Sequence, residues 1–272
     1  MCRQRVCEAL LEEEENMIRS GNPVLNDNTF AGAVDYSEDR MTLMGTVHKT
    51  GALLLLLVLT ASITWSMVIV VGEDGAKSIQ VAPSLWAYVI GGVVGGLIFA
   101  LATMFKPHWA PYTAPLYAAC EGLFIGGISA FAEAQFQGIV LQAVGLTFGT
   151  LFALLAAYRS GLIKATENFK LGVVAATGGI FLVYLITWVL SMFGATSAAH
   201  YIHGSGTFGI CFSLFVVVIA ALNLVLDFDF IENGAEAGAP KYMEWFGAFG
   251  LMVTLIWLYI EILHLLMKLR SR

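Results

Sequence analysis

Seven uninterrupted apolar stretches, each about 20 residues long, constrain the fold of this chain more than any other feature of its sequence. About 20 apolar residues are needed for a helix to cross the ~30 Å hydrocarbon layer of a membrane. Because backbone polar groups in lipid must be satisfied within the segment, we expect helices. The predicted spans are 51–71, 85–105, 113–132, 138–158, 171–193, 206–228 and 245–267.

The charge content supports a membrane protein. Of the 272 residues, 58% are apolar and 12% are charged, whereas about a quarter of the residues of a soluble domain are charged. We therefore predict an all-α, polytopic protein that folds as a seven-helix transmembrane bundle in a lipid bilayer. Its expected parts are a soluble cytoplasmic tail over 1–48, a transmembrane domain over 49–268 and a short basic C-terminus over 269–272.

The distribution of Lys and Arg predicts the orientation. With the N-terminus inside, ten basic residues fall on the inner side and four on the outer side, which satisfies the positive-inside rule. Three of the four outer residues belong to the C-terminus. A re-entrant last segment would return them to the cytoplasm, so the side of the C-terminus stays open.

The stretch from Ala220 to Leu265 carries acidic residues that hydrocarbon does not favour. Asp227 and Asp229 end the sixth span, and Glu261 lies inside the seventh. Placing an ionised carboxylate near a bilayer centre costs about 2.5–3.5 kcal/mol even on translocon-based scales. These acids are therefore the first candidates for an ion-binding or pH-sensing site.

Helical periodicity separates the two aspartates. At 100° per residue, Ser213, Asn223 and Asp227 share one side of the sixth span, and Asp229 points about 200° away from Asp227. We expect Asp227 to face the interior and Asp229 the cytoplasmic interface, with Ser213 and Asn223 supporting Asp227. The alternative is that both acids only end the helix in water.

Glu261 is the strongest single candidate, because no other charge lies between Glu244 and Lys268. Tyr259 and His264 are expected as its hydrogen-bonding neighbours, His264 being three residues further on the same side. The alternative is that Glu261 extends to the membrane interface. Glu121, deep in the third span, is a further candidate and requires a partner from another helix.

The chemistry of these residues suits a cation. Two carboxylates close together in a water-poor interior tend to share a proton. Oxygen-only ligands favour Ca²⁺, so Asp227 and Glu261 form the candidate Ca²⁺ site, with Ca²⁺ or protons as the expected partners. The sequence shows no basic patch for nucleic acid, no catalytic motif and no cofactor motif, so we expect no enzyme and no resident cofactor.

Two other classes of seven-helix protein do not fit the sequence. A retinal protein needs a lysine within the seventh span, where this chain has Glu261, and a secondary transporter favours internal repeats, which are absent.

Pairs of glycines four residues apart predict close helix packing. These pairs are Gly91 with Gly95, Gly92 with Gly96, Gly122 with Gly126, and Gly145 with Gly149.

Several motifs together resemble the transmembrane Bax inhibitor motif family, and in particular its bacterial, YccA-like branch. The resemblance covers nearly the whole chain. It rests on Asn22-Pro-Val-Leu, Met41-Thr-Leu-Met-Gly-Thr-Val-His-Lys-Thr-Gly51, Glu121-Gly-Leu-Phe-Ile-Gly-Gly127, Leu224-Val-Leu-Asp-Phe-Asp229 and Trp257-Leu-Tyr-Ile-Glu-Ile262.

The resemblance implies a seven-helix bundle with the last helix central, in the bacterial inner membrane. It implies a pH-sensitive Ca²⁺ leak governed by one acid from each of the last two helices. Glu261 stands where the family's seventh span has Asp, and the sixth-span acid is Asp227 or Asp229, of which helical phase favours Asp227. For some bacterial relatives it implies instead a regulator that binds a quality-control protease, for which the tail with Glu12 to Glu15 would be the binding element.

The predicted span midpoints set a condition on this acidic pair. With midpoints near residues 215 and 256, Asp227 lies about 18 Å to one side of the membrane centre and Glu261 about 7 Å to the other, at 1.5 Å per residue. The pair therefore requires a seventh helix that begins later than predicted. Otherwise it does not form.

Overall fold

A computed structural model describes residues 40–73, 76–194, 204 and 206–271 of the chain. The predicted tail up to residue 39, including Glu12 to Glu15 and the segment that begins at Asn22, lies outside the described residues. The described part contains seven helices that are long and apolar enough to cross a membrane. The chain is thus an integral, multi-pass, all-α membrane protein, as the sequence predicted.

The described part of the chain contains seven long helices in sequence order. They are α1 (Leu43–Trp65), α2 (Leu85–Phe105), α3 (Ala110–Gln135), α4 (Ile139–Arg159), α5 (Glu167–Met192), α6 (Thr207–Glu236) and α7 (Met243–Arg270). One 3₁₀ turn, Pro107–Trp109, precedes α3. Threonine side chains cap the N-termini of two helices. Thr42 accepts a hydrogen bond from the Gly45 amide at the start of α1, and Thr166 accepts one from the Phe169 amide at the start of α5.

An antiparallel hairpin joins α1 to α2, where the sequence had predicted the end of the first span. Strand β1 (Val68–Glu73) pairs with β2 (Ala76–Val81), with Val68 opposite Val81. The residues from Val68 to Val71 are all β-branched, which favours an extended backbone over a helix. The first span accordingly ends at Trp65 and begins at Leu43, within the stretch that had been assigned to the tail.

The largest extensions beyond the predicted spans, in α1, α5 and α6, contain charged residues that are paired. Helix α6 runs eight residues beyond the predicted limit of 228, and α5 begins four residues before the predicted 171. Lys170 of α5 and Asp229 of α6 form an ion pair of 2.9 Å in this added part. Lys49 likewise lies inside α1 and pairs with Glu244 of α7.

Helix α7 is the central helix of the bundle. It packs against α1, α3, α4 and α6, and its predicted central position is confirmed. Its 28 residues are continuous, which corresponds to about 42 Å at 1.5 Å per residue. A re-entrant last segment is therefore not present, and the two ends of the transmembrane domain lie on opposite sides. We name these the N side, where α1 begins, and the C side, where α7 ends.

Glycines of α2 and α3 allow the close packing that their spacing predicted. A Cβ added at Gly92 would lie 2.6 Å from the Cys120 carbonyl oxygen, and one at Gly126 would overlap the Ala61 carbonyl oxygen of α1. The prediction is wrong for Gly91 of α2, where an added Cβ would meet no described atom within 4 Å, and for both glycines of α4. Added Cβ atoms at Gly145 and Gly149 would meet no described atom within 4 Å, so neither glycine marks a helix contact.

Candidate functional site

Three polar contacts connect α5 to α6 and α7, and they set out the candidate site. They start from Lys170, Thr177 and Tyr184, which are spaced seven residues apart and so share one face of α5. Two seven-residue steps correspond to about 21 Å along the helix, more than half of the hydrocarbon thickness. The contacts therefore mark one seam through the membrane, which we call the α5 seam.

The N-side contact of the α5 seam joins Lys170 to Asp229. The Lys170 Nζ lies 2.9 Å from Asp229 Oδ2 and 3.3 Å from Glu167 Oε1. Asn233 donates to the same Asp229 oxygen at 3.0 Å. The Asp229 side chain is 19% exposed, whereas Asp227 is fully buried, which agrees with the different sides of the helix that helical phase predicted for them.

A cavity of about 640 Å³ opens on the N side beside this contact. Asp229 and Glu232 line it together with Tyr158, whose hydroxyl donates to Glu232 Oε2 at 2.5 Å. Arg159 and Lys164 also line this cavity. The N-side cavity therefore presents charges of both signs to the aqueous boundary.

The middle contact joins Asn223 of α6 to Thr177. The Asn223 Nδ2 donates to Thr177 Oγ1 and to the Ile219 carbonyl oxygen, each at 2.9 Å. Asp227 follows Asn223 by one helical turn on the same side and is fully buried, at 0% exposure. Since α6 extends from Thr207 to Glu236, Asp227 lies only about 8 Å from its middle, toward the N side.

An apolar constriction lies next to Asn223 on the C side. Ile180 of α5 packs against Val216 and Ile219 of α6, with Trp257 of α7 beside them. All three aliphatic side chains are buried. The constriction separates the two halves of the α5 seam.

The C-side contact joins Tyr184 to Glu261. The Tyr184 hydroxyl donates to Glu261 Oε1 at 3.1 Å, and Glu261 is 5% exposed. Lys268 donates to Ser213 Oγ at 2.8 Å and to the Gly209 carbonyl oxygen at 3.2 Å. These groups and the exposed His264 line a cavity of about 230 Å³, which we call the C-side cavity.

The structure does not bring Glu261 to Asp227 or Asp229. In the antiparallel pair of α6 and α7, a Cβ at Gly247 would lie 3.2 Å from Ile231 Cγ1. Continuing this register places Glu261 beside residue 217 of α6, ten residues from Asp227, or roughly 15 Å along the axis. Because α7 begins at Met243 and not later, the condition for the implied acidic pair is not met. The two carboxylates lie in opposite halves of the membrane.

The supporting residues divide accordingly. Asn223 belongs with Asp227, but Ser213 lies beside Glu261 in the C-side cavity. Tyr259 does not contact Glu261; its hydroxyl lies 2.6 Å from Ser129 Oγ of α3. A shared Ca²⁺ site of Asp227 and Glu261 is therefore not formed. No three His, Cys, Asp or Glu side chains cluster as metal ligands within the described ranges.

Glu121 has a local partner, contrary to the expectation from the sequence. Its carboxylate accepts a hydrogen bond from Tyr117, one turn earlier in α3. A Cβ at Gly96 of α2 would lie 3.1 Å from Glu121 Oε1, so the small glycine makes room for the acid. Glu121 is thus part of the α2 and α3 contact and lies outside the α5 seam.

The most connected acid of the described chain, Glu244, was not predicted from the sequence. It is 0% exposed and accepts from the Thr42 amide at 2.9 Å and the Thr42 hydroxyl at 2.8 Å. It also pairs with Lys49 and lies 3.4 Å from Lys241 Nζ. A Cβ at Gly45 would occupy the space of its carboxylate. The sequence contained one signal for this site: Lys49 lies within a segment that can continue as a membrane helix, and a lysine there requires an acidic partner.

Comparison with known protein families identifies the family to which this chain belongs. The family described as Bax inhibitor 1 like matches residues 22–271, which is nearly the whole chain. A comparison with curated proteins and one with solved structures gave no match. The family match agrees with the seven membrane-spanning helices and the central α7. The chain therefore belongs to the Bax inhibitor 1 like family.

Proposed function

We propose that this protein is a pH-dependent cation leak, selective for hard cations such as Ca²⁺, in the bacterial inner membrane with its N-terminus in the cytoplasm. The observation that carries the proposal is the placement of two buried carboxylates, Asp227 and Glu261, in opposite halves of the membrane near one seam. Buried acids at such depth are costly and are retained where they serve ions or protons.

The cavities at both ends of the α5 seam support this route. Asp229 lines the N-side cavity and Glu261 lines the C-side cavity. Asp227 lies two residues from Asp229 along α6, on a different side of that helix. Between them lie the Asn223 and Thr177 side chains, whose oxygens are hard ligands. A cation that crosses by this route meets oxygen atoms in every part of the seam except the constriction.

The apolar constriction holds the leak closed in this conformation. Apolar side chains at a narrow point exclude water and ions, so opening requires Ile180 to move away from Val216 and Ile219. Among the described helices, α5 makes its main packing contact with α6. A displacement of α5 would therefore open the seam while the rest of the bundle stays in place.

Proton occupancy supplies the pH dependence. An ionised carboxylate attracts Ca²⁺, and a neutral carboxyl group binds it far more weakly. Roles follow for both acids: Glu261 attracts the ion from the C-side cavity, and Asp227 receives it beyond the constriction. The flux should thus decrease as the pH falls and protons occupy these two groups.

Ca²⁺ flux into vesicles tests the proposal. The full chain is reconstituted with a Ca²⁺-sensitive dye inside, and flux is measured against pH for the wild type, Asp227→Asn and Glu261→Gln. Both variants should lose most of the flux and its pH dependence. Glu236→Gln is the matched control, because Glu236 is an exposed acid at the end of α6. Wild-type flux and pH response in both buried-acid variants would refute the proposed route.

The alternative function, a regulator that binds a membrane protease through its tail, is distinguished by deletion. The tail up to residue 39 lies outside the described residues, so nothing in the geometry favours this function. Removing residues 1–39 leaves the α5 seam intact. A leak should survive this deletion, whereas binding through the tail should be lost.

A further inference from the structure

A third cavity, lined by none of the residues of the α5 seam, lies on the lipid-facing side of the bundle. It has a volume of about 310 Å³ and separates α1 from α4, with α3 and α7 as its floor. We call it the α1–α4 cleft. Ala61 and Trp65 of α1, Val144 and Phe148 of α4, Ser129 of α3 and Tyr259 of α7 are among its lining residues.

The surface of the cleft is almost entirely apolar. Two of the hydroxyl groups that line it, those of Ser129 and Tyr259, are buried and bond to each other at 2.6 Å. Because these hydroxyls are satisfied, they give a water molecule little to bind, and apolar cavities of this kind stay dry. The occupant of the cleft must therefore be hydrocarbon.

The position of the cleft identifies the side from which it is filled. The lining residues of α1 belong to its second half, and those of α4 to its first half. Both halves lie toward the C side. The neighbouring medium at that depth is the acyl-chain region of the C-side leaflet.

The Arg270 side chain lies at the C-side end of α7, beyond the cleft and at the level expected for lipid headgroups. Arg270 follows Tyr259 by eleven residues, which is about 16 Å along α7 and within about 20° of the same direction. It donates to the Gln137 carbonyl oxygen at 2.7 Å and to Gln142 Oε1 at 3.0 Å. Arg has five N–H donors, so exposed Arg270 retains donors for a phosphate.

The nearby start of α4 does not compete for that phosphate. Its Gly138 and Val140 amides already donate to the Glu133 carboxylate. These amides at the start of α4 are therefore not available to a phosphate. The phosphate contact therefore falls to Arg270.

We propose that the α1–α4 cleft binds one acyl chain of a phospholipid from the C-side leaflet, with the lipid phosphate held by Arg270. The chain fills the space between α1 and α4 and reaches the Ser129 and Tyr259 hydroxyls. This site is independent of the proposed leak, since none of its residues belongs to the α5 seam.

Photolabelling in vesicles tests the site. The full chain is reconstituted in phosphatidylcholine vesicles with a small fraction of phosphatidylcholine that carries a diazirine in the middle of one acyl chain. After irradiation, labelled residues are mapped by mass spectrometry. We expect label on Ser129 and Tyr259, which bulk lipid does not reach, as well as on Phe181, which is 64% exposed on α5.

Variants separate the cleft from bulk lipid. Val144→Trp, or Ala61→Phe if the former does not insert, fills the cleft and should lower labelling of Ser129 and Tyr259 about tenfold, with Phe181 unchanged. Leu141→Trp is the matched control, because Leu141 is 78% exposed on α4. Label on Phe181 alone in the wild type, or unchanged Ser129 labelling in both filling variants, would overturn the proposal.

The role of Arg270 has its own comparison. Arg270→Gln should weaken labelling by the phospholipid probe about tenfold, as expected for the loss of one charge-assisted hydrogen bond. Labelling by a diacylglycerol with the same diazirine chain should not change. An equal response of the two probes would show that the cleft holds a chain without phosphate recognition, which contradicts this part of the proposal.

Discussion

Replacing Glu244 by Gln should destabilise the folded protein by about 3–5 kcal/mol, the range for removal of one partner from a buried ion pair. Glu244 is fully buried at the start of α7 and pairs with Lys49 inside α1. The substitution leaves the Lys49 ammonium without its counter-charge. It keeps the size of the side chain, so the loss measures charge and hydrogen bonding.

The contacts of the carboxylate account for this magnitude. One oxygen accepts from the Thr42 amide at 2.9 Å and the Thr42 hydroxyl at 2.8 Å, and the other pairs with Lys49. A Gln amide retains one acceptor oxygen and turns an NH₂ donor toward either Thr42 or Lys49. Each hydrogen bond to a charged group contributes about 1.5–3 kcal/mol, so the loss of two reaches the expected range.

Equilibrium unfolding in mixed detergent micelles measures the effect. Trp245 is a local reporter, because Lys49 Nζ lies 5.5 Å from the centre of its ring. Lys49→Met should destabilise the protein in the same range as Glu244→Gln. The double variant Lys49→Met, Glu244→Met should lose much less than the two single losses combined, because it leaves no unpaired charge.

The control for this measurement is Glu236→Gln, which removes an exposed charge and should change stability by less than about 0.5 kcal/mol. If Glu244→Gln also changes the free energy of unfolding by less than about 0.5 kcal/mol, the buried ion pair does not stabilise the protein as argued. A double variant whose loss equals the sum of the single losses would lead to the same conclusion.

Three further predictions concern packing, a buried hydrogen bond and the constriction. Gly126→Ala should cost about 1–3 kcal/mol through overlap with α1, while Gly145→Ala, which meets no described atom, should be neutral in the same unfolding assay. Tyr259→Phe should cost about 1–2 kcal/mol, because the buried Ser129 hydroxyl loses its partner. Ile219→Ser should raise Ca²⁺ flux into vesicles by admitting water to the constriction, and a flux equal to that of the wild type would contradict its gating role.

The membrane fold could be predicted from the sequence because its cause is local. Each span needs only its own apolar residues and its own backbone hydrogen bonds. The ends of the spans were less accurate, since charged residues were taken as the end of the hydrocarbon. Lys170 and Asp229 instead pair across two helices and allow α5 and α6 to continue. That information is not contained in either segment alone.

The side of α6 on which each aspartate lies was predictable, but the depth of Asp227 and the partners of the acids were not. Helical phase predicted that Asp227 is more buried than Asp229, because both positions depend on one helix. The register between α6 and α7 depends on packing such as Gly247 against Ile231. A shift of ten residues between two apolar helices leaves their composition unchanged. The predicted span midpoints had already separated the two carboxylates along the membrane normal, whereas the family resemblance implied a pair, and the register of α6 and α7 decides for two separate carboxylates.

The α5 seam carries a signal that the sequence did contain. Lys170, Thr177 and Tyr184 recur at seven-residue intervals in an otherwise apolar helix, with Val173 and Ile180 between them on the same face. Each of the three bonds to a polar residue of α6 or α7, namely Asp229, Asn223 and Glu261. In lipid, a polar side chain without a partner is costly, so a periodic polar stripe requires a complementary stripe. The three partners in turn fix how α5 is placed against α6 and α7, and the constriction lies where the stripe is interrupted by Ile180.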